Sequence, residues 1–306
     1  MSLLGRDARP LAGGTDLLPL MKADLFSPSR LVNVKHVLDG DIREGTDTLR
    51  IGALTVLDEI ERNRLIRKSY AALSEAAAAA ASPQLRNMAT IGGNLLQRPR
   101  CWYFRNPRIQ CWLKGGDTCP AKEGENKLHA LYGGGPCYAV HPSDLAGALV
   151  ALEAQVRVRS KEGESLIPCE DFFVSPTPAR RTETVLDEDE LIVAVEIDDK
   201  DVKSTYLKAM ERKVWTFAMV GVAVVVRRSG VRVEHARIVL TGVAPIPWRA
   251  RAAEEIVMGG EWSQGRASEA AEAALEGAEP LVHNGYKVPL LKALIRRALD
   301  ATARAA

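Results

Sequence analysis

The sequence predicts an α+β chain of two domains, and three observations carry that prediction. A length of 306 residues divides into two at about 150 residues per domain. Residues 1–60 read as alternating short strands and helices, and the style changes only past residue 200. Beyond it come an apolar strand, a second strand across Ser229-Gly230, and three amphipathic helices. The boundary is therefore placed near residue 200, giving domains 1–199 and 200–306.

In chain order, Leu31–Val34 and Leu49–Gly52 read as strands, and a helix capped near Thr55 covers Val56–Arg62. A longer helix is expected over Ser69–Ala81. It ends at Ser82-Pro83, where proline restricts the residue before it. Its six alanines, Ala76–Ala81, are either low complexity or a smooth face for the close approach of a backbone or a flat ligand. Ser143 or Asp144 caps a helix with Leu145, Ala148, Leu149 and Leu152 on one face. Val156–Arg159 and Leu191–Ile197 are strands, and the Pro-rich, then charge-rich stretch 172–190 is a connection. Phe217–Val226 and Val231–Leu240 form the hairpin of the second domain, followed by helices over Ala250–Met258, Ala267–Leu275 and Val288–Ala301.

Composition narrows the function classes. Lys+Arg 41 against Asp+Glu 39 leaves a net charge of +2, which gives no reason to expect a nucleic-acid partner. No run approaches the 18 or so apolar residues a membrane helix needs. Met1–Asp7 has no long apolar stretch, so no signal peptide and a cytoplasmic protein are expected. No Ser–His–Asp or Cys–His nucleophile pattern and no paired-carboxylate site is specified, so no catalytic residue is assigned.

Cysteines are the most uneven feature. Four of five, Cys101, Cys111, Cys119 and Cys137, fall within 37 residues, while Cys169 stands alone as a buried thiol. Around them, from about 98 to 142, periodicity disappears and six of the chain's 16 aromatics collect. A structureless stretch of this length needs an organiser, and the four thiols supply one. The spacing Cys-x9-Cys-x7-Cys-x17-Cys lacks the short knuckles of structural zinc sites. Four thiolates without histidine also suit an iron–sulfur cluster. Iron–sulfur, zinc, and free or disulfide-bonded thiols all remain open on chemistry alone. His129 and His141 are candidate donors to such a centre or ordinary structural histidines.

Two glycine turns complete the inventory. Leu11-Ala12-Gly13-Gly14-Thr15-Asp16-Leu17 follows a short strand, and Ala89-Thr90-Ile91-Gly92-Gly93-Asn94 lies 79 residues on. Paired glycines permit positive φ and leave N–H groups unobstructed, which suits a pyrophosphate. Either turn alone is weak, and neither is a Gly-x-Gly-x-x-Gly or P-loop motif. Together they could hold two ends of one dinucleotide.

The trio Ala12–Leu17, Ala89–Asn94 and Ser143-Asp144-Leu145 resembles the FAD-binding (medium) subunits of the molybdenum hydroxylases, which include xanthine dehydrogenases, aldehyde oxidoreductases and carbon monoxide dehydrogenase. Thr205–Lys208 and Thr241–Arg249 look like the entry and second signature of that family's C-terminal domain. The resemblance covers nearly the whole chain. It implies a two-subdomain FAD-binding domain of the vanillyl-alcohol-oxidase/PCMH type, then a CO-dehydrogenase-flavoprotein-like domain. A subset of the family inserts a loop whose four cysteines bind a [4Fe–4S] cluster. Here the segment around Cys101, Cys111, Cys119 and Cys137 resembles the aldehyde oxidoreductase version of that loop.

By matching positions, the resemblance gives Leu11, Ala12, Gly13, Gly14, Thr15, Asp16 and Leu17 to the FAD pyrophosphate, and Thr90, Gly92, Gly93 and Asn94 to the flavin side. Asp144 would hydrogen-bond the cofactor, and Ile192 and Lys208 would line its site; without the family, Lys208 reads as a solvated surface lysine. Ten residues precede Leu11 where the family usually has a strand and a helix, so the first subdomain is expected to start short or lack its first strand. The resemblance further implies an electron-transfer subunit of an oxidoreductase. Its partners would be a large molybdopterin-binding chain and a small [2Fe–2S] chain, in a heterotrimer or a dimer of heterotrimers. Periplasmic location by co-export with a partner is the alternative compartment. Two other readings stand beside it: reversed electron flow, as in 4-hydroxybenzoyl-CoA reductase, and a non-enzymatic assembly protein with a zinc loop and no flavin.

Overall fold

The computed structural model describes residues 4–5, 7–198, 202–212 and 214–304. The boundary expected near residue 200 falls at 199–201, outside the described residues, as do Met1–Leu3. Three sheets organise the described residues. Strands β1 (Ala8–Leu11) and β2 (Arg30–Asn33) pair in parallel. Next come β3 (Ile42–Glu44), β4 (Thr48–Gly52), β5 (Gln155–Arg159), β6 (Glu164–Pro168) and β7 (Leu191–Asp198), antiparallel in the order β3-β4-β7-β5-β6. The last sheet holds β8 (Lys203–Ala209), β9 (Val220–Ser229), β10 (Arg232–Thr241) and β11 (Trp248–Arg249) in the order β11-β10-β9-β8.

β7 is central and buried on both faces, which is why Leu191–Ile197 reads as a near-continuous apolar run. The same logic governs β9. Val220, Val222, Val224 and Val226 pack on helices Arg251–Val257, Gln264–Ala273 and Lys287–Arg304. Ala223 and Val225, on the other face, join the core of the first domain. The C-terminal sheet is thus a wall shared by two cores, and one-sided alternation would have failed there.

Two expected elements shift. The helix expected over Ser69–Ala81 runs over Ala71–Ala79, and a separate, unexpected helix, Arg64–Ser69, precedes it with Tyr70 between them. Asn63 caps Arg64–Ser69 by accepting from the N–H groups of Leu65 and Ile66. Ala80 is extended and Ala81 has φ 50°, with its carbonyl accepting from Trp215 N–H at 3.1 Å. The alanine face admits β8: Ser204 Oγ accepts from Ala72 N–H, and Glu75 accepts from Thr205 Oγ1 and Tyr206 N–H. The strand expected over Phe217–Val226 starts three residues later, at Val220, because Phe217 turns outward and is exposed.

Candidate functional site: two glycine turns, an interdomain cleft and a cysteine loop

The first glycine turn follows from the parallel pair β1-β2 and precedes helix Leu17–Lys22. Gly14 has φ +71°, a conformation that disfavours a side chain. At Gly13 an added Cβ would lie 1.9 Å from the Met88 carbonyl oxygen. The first turn therefore rests directly on the backbone leading into the second. There, Thr90 caps helix Ile91–Leu95, its Oγ1 accepting from Gly93 N–H at 3.2 Å. Both turns, with Ile192 from β7, line one groove of about 340 Å³.

Asn94, next to Gly93 of this groove, is bonded to Ser143, which with Asp144 lines a second cavity. Asn94 Oδ1 accepts from Ser143 Oγ at 2.5 Å, and Ser143 Oγ in turn accepts from Ala146 N–H, capping helix Asp144–Ala151. Asp144 is buried between domains. Its Oδ1 accepts from Tyr206 Oη and its Oδ2 from Lys208 Nζ, both at 2.6 Å. Burial, with the neighbouring carboxylate, raises the Tyr206 phenol well above its usual pKa, so it serves as a donor. Lys208 also donates to the Ala79 carbonyl, and its side chain is only 2% exposed, which removes the surface-lysine alternative. The interdomain cleft, about 230 Å³, is walled by Arg100, Cys101, His129, His141, Asp144 and Thr241, with exposed Trp215 and Phe217 among the residues around it.

Asp16 behaves differently from its neighbours in the first turn. Its carboxylate accepts from Arg98 N–H at 2.8 Å and pairs with Arg100 at 2.6 Å and Arg105 at 2.8 Å. All three arginines belong to the start of the cysteine loop. Asp16 is therefore a clip between glycine turn and cysteine loop rather than a free ligand to an anion.

In the cysteine loop, only Trp102–Arg105 and Trp112–Lys114 are regular. Cys111 and Cys137 are buried in a cluster with Leu20, Phe104, Trp112, Leu113 and Ala139, and Cys101 and Cys119 pack against it. Backbone N–H groups face the sulfurs: Tyr103 and Phe104 toward Cys101, Leu113 and Lys114 toward Cys111, Ala121, Lys122 and Tyr138 toward Cys119, and Ala139 toward Cys137. The sulfurs also act on one another. Cys119 and Cys137 share a hydrogen bond that, as the largest effect, brings Cys119 down to about 6 and drives Cys137 up. Burial pushes Cys101 up to about 11 and also raises Cys111. Four desolvated thiols thus converge, each sulfur met by at least one N–H. Among the described residues no three His, Cys, Asp or Glu side chains are grouped to hold a single metal ion. Cys169 lies apart, fully buried, and burial raises its thiol.

The loop is anchored by residues that sequence reasoning missed. Arg181 donates to the Trp112 and Gly116 carbonyls and stacks 4.6 Å over Trp112. Asn284 and Lys287, both wholly buried, donate to the His129 carbonyl from the C-terminal domain, and Lys287 also reaches the Gly242 carbonyl. Tyr132 stacks on Trp248 at 5.0 Å. A lysine at a helix start gives no hint in sequence that it is buried.

Residues 2–198 match the family described as FAD binding domain in molybdopterin dehydrogenase, and 205–302 match the CO dehydrogenase flavoprotein C-terminal domain. The aldehyde oxidoreductase FAD-binding subunit PaoB of Escherichia coli is 39% identical over 304 residues, covering 97% of this chain and 92% of that protein. The carbon monoxide dehydrogenase medium chain of Hydrogenophaga pseudoflava is 30% identical, with 97% and 90% covered. A structure of carbon monoxide dehydrogenase from that organism superposes with a TM-score of 0.78 at 29% identity, covering 99% of this chain and 91% of that one. No helix among the described residues is long and apolar enough to cross a membrane. With its groove built on two paired-glycine turns and its antiparallel C-terminal sheet backed by helices, the chain belongs to the molybdenum hydroxylase family as an FAD-binding electron-transfer subunit of an oxidoreductase.

Proposed function

We propose that the groove over Gly13, Gly14, Thr90, Gly92 and Gly93 would hold FAD, with Asp144 as a hydrogen-bonding partner for it. A [4Fe–4S] cluster is held by Cys101, Cys111, Cys119 and Cys137. The fit for FAD is the open backbone of the two turns, where a side chain at Gly13 has no room and Gly14 holds positive φ. The fit for the cluster is the donor set: four converging sulfurs in a largely apolar shell, each faced by backbone N–H. Leu11, Ala12, Thr15 and Leu17 shape the first turn, and Asn94 fixes the second against Ser143. Ile192 supplies an apolar wall. Asp144 and Lys208 form a buried, oppositely charged pair. When bound, these groups supply one- and two-electron redox chemistry; the chain positions them and excludes water.

One observation carries the reading: a single interdomain cleft is lined both by Cys101 of the cysteine loop and by Asp144 of the proposed cofactor site. The chain works with a large molybdopterin-binding subunit and a small [2Fe–2S] subunit, passing electrons between iron–sulfur centres and an external acceptor. Its units are 1–199, with the cysteine loop at about 98–142, and 200–306. The similarity to an aldehyde oxidoreductase subunit favours aldehydes as substrates of the complex. Assembly occurs in the cytoplasm, with export of the folded complex if a partner carries a twin-arginine signal. The test is to co-purify the chain with its partners and assay flavin, iron, sulfide and zinc. A flavin absorption band and iron beyond the share of the [2Fe–2S] chain are expected. Stoichiometric zinc without the extra iron rejects the cluster, and absence of flavin rejects the groove assignment.

A further inference from the structure

We propose that His129 is a positioning residue for electron exchange at the domain junction: its ring N–H, bonded to Cys101, sets the reduction potential of the iron centre on the side facing the flavin. This rests on the four-cysteine reading above. His129 Nε2 lies 3.2 Å from Cys101 Sγ. Its Nδ1 is buried and has no hydrogen-bond partner among the described residues. A ring with one nitrogen on a sulfur acceptor and the other without a donor is the Nε2–H tautomer.

The fold spends buried polar groups on keeping this ring in place. Asn284 Nδ2 and Lys287 Nζ donate to the His129 carbonyl at 3.1 and 2.8 Å, and both residues are 0% exposed. Trp102 meets the ring edge-on at 5.2 Å. Both Cys101 and His129 line the cleft that Asp144 shares. An N–H aimed at a ligand sulfur stabilises the more negative, reduced state of a cluster and so raises its potential. Cys101, the thiol that meets an imidazole, is also the one that lines the cleft.

The experiment compares His129→Leu and His129→Gln in the assembled complex, since glutamine can place a donor near the Nε2 position. Iron and FAD contents are measured, and the cluster is titrated by EPR-monitored redox potentiometry. In the leucine variant the reduced-to-oxidised ratio at the wild-type midpoint is expected to fall about tenfold, a downward shift of about 59 mV for a one-electron couple. The glutamine variant is expected to hold the wild-type midpoint. A leucine variant with full iron and an unmoved midpoint overturns the proposal, as do equal shifts in both variants. Loss of iron from both overturns it too, because ring shape rather than the N–H would then be the requirement. Loss from leucine alone, with glutamine at the wild-type midpoint, supports it. A wild-type complex with zinc in place of the extra iron overturns both the cluster and this role.

Discussion

The glycine-turn groove and the cysteine loop are neighbours built on opposite plans. The groove is made of backbone that regular structure holds in place: Thr90 caps its own helix, Leu57 N–H bonds the Ala89 carbonyl, and β1 pairs with β2. The cysteine loop has little regular structure and is held from outside by Asp16, Arg181, Asn284 and Lys287. Its centre is four thiols, two buried and two half-buried, three of which burial or mutual contact pushes upward. A site made of backbone keeps its shape whether filled or empty. A site made of desolvated sulfurs is favourable only when thiolates meet a positive charge.

The largest expected break is Cys137→Ser. It removes one of the two buried sulfurs of the proposed cluster site, and the complex should lose the subunit's extra iron while keeping its flavin, as read by the iron-to-flavin ratio. Parallel loss of flavin would mean that the two sites are not separable. Next is Gly13→Ala, whose Cβ would sit 1.9 Å from the Met88 carbonyl oxygen. Forcing the two turns apart costs on the order of 3 kcal/mol. FAD affinity should fall about a hundredfold, with iron retained, measured by flavin content after dialysis. Asp16→Asn sharpens the contrast because Asp16 belongs to both regions. It leaves Arg100 and Arg105 without a carboxylate, at about 2 kcal/mol for partly buried pairs. Faster proteolysis within 98–142 at near-normal flavin content is expected.

The smallest effect concerns Lys287, which burial lowers to about 7 in the folded chain. The sign follows from proton counting. Between about 7 and the unfolded lysine value near 10.5 the unfolded chain binds more protons, so stability rises with pH through that window. In Lys287→Met this contribution disappears, and the stability-versus-pH slope should be shallower by up to about 1.4 kcal/mol per unit. Chemical denaturation of both proteins at pH 7 and 9 measures it.

Much of the frame is legible in the sequence because local rules decide it. Ser143 caps its helix, and the hairpin across Ser229-Gly230 pairs β9 with β10. Edge strands β3 and β6 escape notice because their residues are largely exposed and show no apolar alternation. The glycine turns and the cysteines announce themselves by type and spacing. What decides their use does not. The partners of Asp16 lie more than eighty residues away, and Lys208 looks solvated until Asp144 is brought to it. Charge pairing at such separation is a product of topology, and no short motif records it.

The Asp144–Lys208 pair has one more consequence. Its carboxylate comes from a helix of the first domain, and its ammonium and the Tyr206 phenol come from the first strand of the second; all three are buried. The same seam carries Ala223 and Val225 of the C-terminal sheet in the core of the first domain, so separating the halves would break packing as well as these bonds, and the domains are riveted rather than hinged. Spacing between anything seated on the two sides is then fixed by covalent geometry and packing, and electron tunnelling, which depends steeply on distance, would proceed across a gap that breathing motions cannot widen.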